Sequence, residues 1–547
     1  MAQEDNTYLI RQLEHLNTIG VALSAEHNHQ QLLEMILLGA QQITNADGGT
    51  LYTITNDHHL KFEMMCNKTL GIAMGGTTGV PISFPPLPLY LENKIPNLTM
   101  VAACAALQAH TVNIQDAYQA IDFDFSGTRK FDQNMGYRSQ SFLTIPMKNH
   151  ESEVIGVLQL INAIDANTGE IIPFSPENQS LVESLASQAA IAMTNHHLIE
   201  GFKNLFESFI KLIADAIDQK SPYTGGHCRR VPELAIQLTQ AAINTTKGPL
   251  KDFYLSEKEL YELKVASWLH DCGKVTTPES VMDKPRKLSA IFDRIELIDQ
   301  RFELLKQQAE NQLLKSKLAL FSTLESIDYA KQSTLLEIEH QAFVSQCNEN
   351  RDFLRHTNYG SEFMSVEDIQ RVDEIALTPF KDADGKSIPF LSANECEHLK
   401  IARGTLSSEE REIINNHIVV TINMLEALPY PKSLARVPEY ACGHHERMDG
   451  RGYPKGLTKE QMSIPARIMG IADIFEALTS RDRPYKKAKT LSESLTILGR
   501  MKVDHHIDPD LFDLFVREKI YLKYAQAFLE PEQIDEVDLS KIPGYQP

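Results

Sequence analysis

The stretch His444-His445-Glu446-Arg447-Met448-Asp449-Gly450-Arg451-Gly452-Tyr453-Pro454 constrains this chain more than any other. Two adjacent imidazoles, the commonest metal ligands in proteins, are followed by an acid and a glycine-rich turn. Gly450 and Gly452 allow the positive φ angles of a tight loop, and Pro454 stiffens its exit. The other pairs, His58-His59, His196-His197 and His505-His506, read as ordinary surface or packing histidines. His444-His445 differs in its company. His227, His270-Asp271, His417 and Asp473 each fall on or beside a predicted helix.

Asp473 is the most telling of these. It sits in Ile468-Met469-Gly470-Ile471-Ala472-Asp473-Ile474-Phe475, among large apolar residues. A buried carboxylate is costly there unless it is paired or holds a metal. His417 shares a helix with Ile413, Ile414, Ile418 and Ile422, which turns it partly inward. Taken singly, Asp473 reads as a buried salt bridge and His417 as a hydrogen-bonded core histidine. Five histidines and two aspartates facing one helical core have a simpler shared explanation. Neutral imidazoles with a bridging carboxylate suit two divalent transition ions such as iron or manganese. Two ions about 3.5–4 Å apart are a recurring solution for phosphoester hydrolysis.

The bulk properties frame this reading. At 547 residues the chain is too long for one core, and two to four domains are expected. No apolar run approaches the roughly 18 residues of a membrane span, so no membrane insertion is expected. The seven cysteines are scattered and odd in number, which suggests reduced thiols in a cytoplasm. A formal charge of −20 repels nucleic-acid polymers. A small phosphate-bearing ligand stays possible, because a local basic site outweighs a distant field within a Debye length.

Along the chain, Leu9, Leu13, Leu16, Ile19 and Leu23 mark one amphipathic helix, and Leu32, Leu33 and Ile36 a second. The period then changes to that of strands over 50–54, 61–64, 141–146 and 154–161. Helices flanking one antiparallel sheet make an α+β domain. The run Val157-Leu158-Gln159-Leu160-Ile161-Asn162, a turn, Phe174 and a closing helix resemble a GAF domain. The resemblance implies a small ligand between the sheet and its covering loops, or a ligand-free dimerisation module. The cyclic-nucleotide subtype is matched only by Asn162, Phe174 and Glu177, since Ala163 replaces its lysine.

Ser175 and Pro176 suit the start of a long helix. Its apolar stripe, from Leu181 through Leu198 and Phe202 to Ile210, predicts a signalling helix over 176–219 that pairs with a second copy. Ser256 with Glu259, and Ser407 with Glu410, form capping boxes for two later helices. Between them, about 289–403 reads as an insertion, helical at first and turn-rich later. Its Lys381-Asp382-Ala383-Asp384-Gly385-Lys386 run fails the EF-hand spacing and reads as a solvated loop.

His270-Asp271-Cys272-Gly273-Lys274, the His444–Pro454 stretch, Ala472-Asp473-x-x-Glu476-Ala477-Leu478-Thr479-Ser480 and Arg483-Pro484-Tyr485 follow one another in the order of the HD-GYP family. The chain resembles this branch of the HD phosphohydrolases over about 205–290 and 404–517. The resemblance implies an all-α fold around a metal cluster that hydrolyses cyclic dinucleotides, chiefly cyclic di-GMP. It implies His227, His270, Asp271, His417, His444, His445 and Asp473 as metal ligands, with Asp271 as the bridge. It gives Lys274 the scissile phosphate and leaving group, Arg483 and Lys486 the phosphate grip, and Tyr453 the edge of the substrate groove. The loop around Tyr453 and the insertion are candidate docking surfaces for signalling partners.

The expected architecture is therefore multidomain. A GAF-like sensor covers 1–195, a signalling and dimerisation helix 176–219, and an HD-GYP phosphohydrolase domain 205–517 with its insertion at about 289–403. An acidic tail follows over 518–547. Some family members hold a third metal with a glutamate four residues before the first histidine, where this chain has Tyr223. That predicts two ions and hydrolysis that stops mainly at linear pGpG. A silent cyclic-dinucleotide receptor, a phosphodiesterase for mixed cyclic GMP-AMP and another nucleotide or alarmone hydrolase are the competing readings.

Overall fold

The computed structural model describes residues 2–26, 28–220, 226–323, 326–360, 363–382, 384–481 and 488–546. Tyr223, Arg483 and Lys486 lie outside them. The chain divides into two compact units, Met1–Leu205 and Phe206–Pro547. Among the described residues no helix is long and apolar enough to cross a membrane.

The first unit is the expected α+β domain. Helices α1 (Ala2–Ala25) and α2 (His29–Thr44) precede β1 (Ala46–Ile54), β2 (His59–Asn67), β3 (Ile72–Gly75) and β4 (Leu87–Pro88). Then come α3 (Val101–Gln108), β5 (Val112–Ile114), α4 (Ser126–Met135), β6 (Phe142–Lys148), β7 (Val154–Ile164) and β8 (Ile171–Ile172). The sheet order is β3-β2-β1-β7-β6-β5, with β4 beside β2 and β8 beside β7. All pairs are antiparallel, in a register that sets Leu51 opposite Leu158 and Leu158 opposite Ile145. Strand alternation then sorts the faces. Leu51, Leu143, Ile145, Leu158 and Leu160 pack with Leu33, Leu37 and Leu185 of the helices in one buried core. Tyr52, Thr50, Phe142 and Gln159 line a cavity of about 560 Å³ on the other face.

Three expected residues of the nucleotide-binding GAF pattern have other work here. Asn162 accepts from Gln140 N at 2.7 Å and donates to the Tyr137 hydroxyl at 2.8 Å, tying β7 to the segment before β6. Phe174 is core, and Glu177 is exposed in the first turn of the next helix. That helix is α5 (Pro176–Lys220), with Gly201 inside it. The Ser175 hydroxyl accepts from Asn178 N at 3.2 Å, the expected N-terminal cap.

The second unit is helical around one large core. Its framework is α6 (His227–Ile243) and α7 (Glu257–Leu269), followed by the short α8 (Glu279–Met282). After the insertion come α13 (Ser408–Glu426), α14 (Val437–Cys442), α15 (Ile464–Thr479), α16 (Leu491–Val503), α17 (Pro509–Arg517) and α18 (Ile520–Phe528). Both capping boxes form, Ser256 with Glu259 and Ser407 with Glu410.

The insertion holds α9 (Ile295–Phe321), α10 (Ser326–Asn358), α11 (Val366–Ala376) and α12 (Ala393–Leu399). Its own core gathers Leu288, Ile298, Phe302, Leu354, Val372 and Phe390. Arg301 of α9 grips Glu395 of α12 with two bonds of 2.8 and 3.0 Å. The second half is thus more ordered than its turn-rich sequence suggests. The acidic run is a hairpin turn between Pro379–Lys381 and Ser387–Pro389, where the Asp382 side chain accepts from Asp384 N and Lys386 N.

Within the expected acidic tail, 518–547, the chain is helical over Ile520–Phe528 and packed. Ile520, Tyr521, Tyr524 and Ala525 form a stripe at helical spacing and are buried in the main core, and Ile542 joins them. Gln533 donates to the Thr479 carbonyl at 2.8 Å. Charged flanking residues masked this stripe in the sequence.

Candidate metal centre

Five segments of the second unit bring the seven expected ligands together. His227 is the first residue of α6. His270 and Asp271 close α7, just before the 3-10 turn Cys272–Thr276. His417 lies inside α13, His444 and His445 follow α14, and Asp473 is on α15. Two groups have ligand atoms close enough to share an ion: His227 with His270 and Asp271, and His417 with His444 and His445.

Asp271 stands between the groups. Its Oδ2 lies 3.3 Å from His227 Nε2 and 3.4 Å from His270 Nε2, while its Oδ1 lies 3.3 Å from His417 Nε2. Each oxygen of one carboxylate therefore faces a different group, the arrangement of a bridging ligand. Asp473 Oδ1 adds a second carboxylate to the first group, 3.3 Å from His227 Nε2 and 3.8 Å from His270 Nε2.

The rings are aimed by their other nitrogens. His270 Nδ1 contacts the Ser267 carbonyl at 2.8 Å and His444 Nδ1 the Ala441 carbonyl at 2.6 Å. His417 Nδ1 meets the Ile414 carbonyl, and His227 Nδ1 the Glu476 carboxylate. A carbonyl only accepts, so Nδ1 carries the proton and Nε2 presents a bare lone pair. That is how metal-ligating histidines are normally held. The Nε2 atoms of His227, His270 and His444 are buried and make no hydrogen bond. His417 Nε2 and His445 Nε2 lie 3.2 Å apart. Orphaned lone pairs converging beside carboxylates fit divalent cations and little else.

Charge follows the same pattern. Burial acts to raise the Asp271 carboxyl, but Lys274 and His270 more than offset it and hold it well below the usual range. Burial likewise opposes Asp473, and the neighbouring His227, His270 and His444 imidazoles hold it low. Burial drives His444 well below the ordinary imidazole value and lowers His445 to about 4. His227 is the exception: burial lowers it, and Glu476, Asp271 and Asp473 together raise it well above. Anionic carboxylates and neutral imidazoles are the forms that bind metal.

The remaining motif residues divide. Lys274 Nζ is 2.6 Å from Asp271 Oδ2, so it sits at the bridge. Tyr453 stacks on His445 with centroids 4.8 Å apart and planes 18° off parallel. A groove of about 430 Å³ leads to His444, His445 and Asp473 and is lined by Tyr453, Arg451, Ile474 and His506. Glu446, beside the histidine pair, is instead a loop tie. It is buried and accepts from Lys455 N at 2.8 Å and Leu457 N at 2.9 Å.

Sequence reasoning passed over two residues. Glu476 is buried and bridges His227 and Arg230, the latter at 2.7 Å. Its place one turn after Asp473, on the same apolar helix, was the available signal. His506 lines the groove, although His505-His506 read as an ordinary pair. Nothing in its local sequence distinguishes it.

Comparison with known proteins matches both regions of the chain. The GAF domain family matches residues 28–193, and the HD domain family matches 394–511. A probable cyclic di-GMP phosphodiesterase of Vibrio cholerae is 29% identical over 243 residues, 42% of this chain and 50% of that protein. A 3'3'-cGAMP-specific phosphodiesterase of the same organism is 43% identical over 81 residues, 15% of this chain and 19% of that protein. A cyclic di-GMP phosphodiesterase of Thermotoga maritima is 32% identical over 133 residues, 22% of this chain and 36% of that protein. The chain spans half the length of the first of these relatives and less of the other two. A GAF domain is followed here by an HD-domain region.

Proposed function

We propose that this GAF- and HD-domain chain, an HD-GYP protein by its motifs, is a metal-dependent phosphodiesterase that opens cyclic di-GMP to linear pGpG. The observation that carries the reading is Asp271, whose two oxygens face separate histidine groups while Lys274 touches one of them. His227, His270 and Asp473 would hold one ion, and His417, His444 and His445 another, with Asp271 shared. Iron or manganese is the proposed metal, by the imidazole-rich donor set. Divalent ions held there supply Lewis acidity toward a phosphate oxygen and lower the pKa of water.

The chain's own groups do the rest. Burial lowers the Lys274 ammonium, but Asp271 and Asp473 outweigh it, so Lys274 stays charged and can neutralise, then protonate, the departing ribose oxygen. Tyr453, packed on His445, edges the groove, and Ile474, Ala477 and Leu478 narrow its access to water. Arg483 and Lys486 are proposed to grip the second phosphate. Arg483→Ala should raise KM severalfold with metal content unchanged, and an unaltered KM would remove that role.

A mixed cyclic GMP-AMP substrate is the second reading, favoured by the 43% identical relative specific for 3'3'-cGAMP. Anaerobic purification, metal counting and product chromatography from both cyclic dinucleotides test the assignment. Turnover that survives complete chelation, or no hydrolysis of either dinucleotide by metal-loaded protein, would overturn it. Two ions and pGpG as the main end product are expected, with any GMP appearing only after a pGpG lag.

Regulation is assigned to the GAF domain. Its cavity is lined by Phe62, Phe84, Phe125, Phe131 and Phe142, with no lysine, arginine or histidine among the described lining residues. With Asp124 its only charged lining residue among those described, it does not suit an anionic ligand. Exposed Ile191, Leu198, Phe202, Leu205, Phe209 and Leu212 on α5 repeat at seven, four, three, four and three residues. That is a heptad seam, and a homodimer through it is proposed. Light scattering at micromolar concentration should report a dimer, and Leu205→Glu with Phe209→Glu should give a monomer. A monomeric parent would dispose of the idea. The free cysteines support a cytoplasmic location.

A further inference from the structure

The groove above His444, His445 and Asp473 has an asymmetric lining. From α15 it takes Ile474, Ala477 and Leu478, at i, i+3 and i+4 on one helical face. The loop after His445 and the turn before α17 contribute Arg447, Arg451, Tyr453 and His506. The first set offers flat apolar contact. The second offers hydrogen-bond donors.

Arg447 is already engaged. Its guanidinium bonds Asp449 at 3.1 and 2.9 Å and the Asp504 carbonyl and carboxylate at 2.8 and 3.0 Å. It thereby pins the 504–506 turn to the histidine loop. Its remaining amine lies 3.5 Å from His506 Nδ1. A guanidinium only donates, so His506 Nδ1 accepts, and the proton of its neutral ring is on Nε2. Burial and Arg447 both hold the imidazole below its ordinary value, in keeping with a neutral ring. Arg451 is held loosely by comparison. Its side chain is 81% exposed, and its nearest carboxylate, Asp449, is 3.9 Å away. Apart from the metal-facing Asp473, the described lining side chains include no carboxylate or carboxamide acceptor.

Resting on the phosphodiesterase reading, we propose that Arg451 and His506 recognise guanine in this groove by donating to its O6 and N7 edge, while α15 packs the face of the base. Guanine presents two acceptors on that edge. Adenine presents one acceptor and an amino donor, which opposes an arginine fork. The recognition selects cyclic di-GMP over adenine-containing relatives, with one guanine of the mixed dinucleotide still served.

The test compares kcat/KM on cyclic di-GMP, mixed cyclic GMP-AMP, cyclic di-AMP and the base-free ester bis(p-nitrophenyl) phosphate, with metal content measured throughout. Wild type should prefer cyclic di-GMP to cyclic di-AMP. Arg451→Ala should lose about tenfold more on cyclic di-GMP than on cyclic di-AMP or the base-free ester, carried by KM; tenfold lies within the range of one bidentate arginine–guanine pair. His506→Ala should do the same to a smaller extent, and His506→Gln, which restores a donor, should recover part of it. Equal losses on every substrate, or no change in the guanine-to-adenine ratio, would overturn the assignment. If wild type cleaves only the base-free ester, the cyclic-dinucleotide assignment fails. Inhibition of that ester's turnover by GMP but not AMP, abolished in Arg451→Ala, would then still support the base assignment, and equal inhibition would end it.

Discussion

Replacing Asp271 with asparagine should lower cyclic di-GMP turnover by more than about 100-fold while leaving the helical content of the protein unchanged. Loss of a residue that merely orients a metal ligand typically costs about 10–100-fold in metal affinity or activity. Asp271 is placed to be a ligand itself, and to two ions at once, since Oδ2 faces His227 and His270 while Oδ1 faces His417. Asparagine keeps the shape but removes the charge that balances Lys274 at 2.6 Å. It also turns one oxygen into a donor aimed at a cation. His270→Ala should be comparably damaging, because that buried ring has its Nε2 committed to no other partner. Circular dichroism, metal analysis and single-turnover kinetics on each variant would check this. Wild-type turnover in Asp271→Asn with both ions bound would remove Asp271 from the centre.

The parts of this architecture that could be read from sequence are those with a local signature. The capping boxes at Ser256 and Ser407 each lie within four residues, and both form. The run 154–161 could be read as a strand because it is rich in apolar and β-branched residues, and β7 covers it, buried on both faces. The ligand set was legible because histidines and an aspartate are out of place on apolar helix faces, as with Asp473 between Ala472 and Ile474.

What escaped depends on contacts remote in sequence. Glu476 reaches His227 across 249 positions, and no window of the chain contains both. Glu446 follows the histidine pair in the motif, yet its oxygens accept from Lys455 N and Leu457 N, nine and eleven positions on. His506 became a groove residue only through Arg447, 59 positions away. Tyr521 and Tyr524 were hidden because an acidic composition over 518–547 outweighed a short helical stripe.

Gly273→Ala should cause the second large loss, through backbone contact. A Cβ at Gly273 would lie 2.0 Å from the His417 carbonyl oxygen, 2.6 Å from Thr421 N and 2.7 Å from Thr421 Oγ1. Real carbon atoms do not approach so closely. Two of these neighbours are backbone atoms of α13, which cannot swing aside as the end of a long side chain can. The turn Cys272–Thr276 and α13 must therefore separate. The bond from Gly273 N to Thr421 Oγ1, now 2.9 Å, would be lost. His417 would move away from Asp271 Oδ1, taking with it one side of the bridge. Overpacking of this kind costs about 1–3 kcal/mol, and with the buried hydrogen bond the total should reach the upper part of that range. The variant should melt several degrees lower, bind fewer ions and lose most of its activity. Gly201→Ala is the matched control. It lies within α5 with nothing near its Cβ, and alanine there should instead stabilise the helix by about 1 kcal/mol. Calorimetry with metal counting on both variants would decide. A Gly273→Ala protein with the wild-type melting temperature and full metal content would show that α13 tolerates the extra carbon and that the close approach does not hold the two halves of the centre in register.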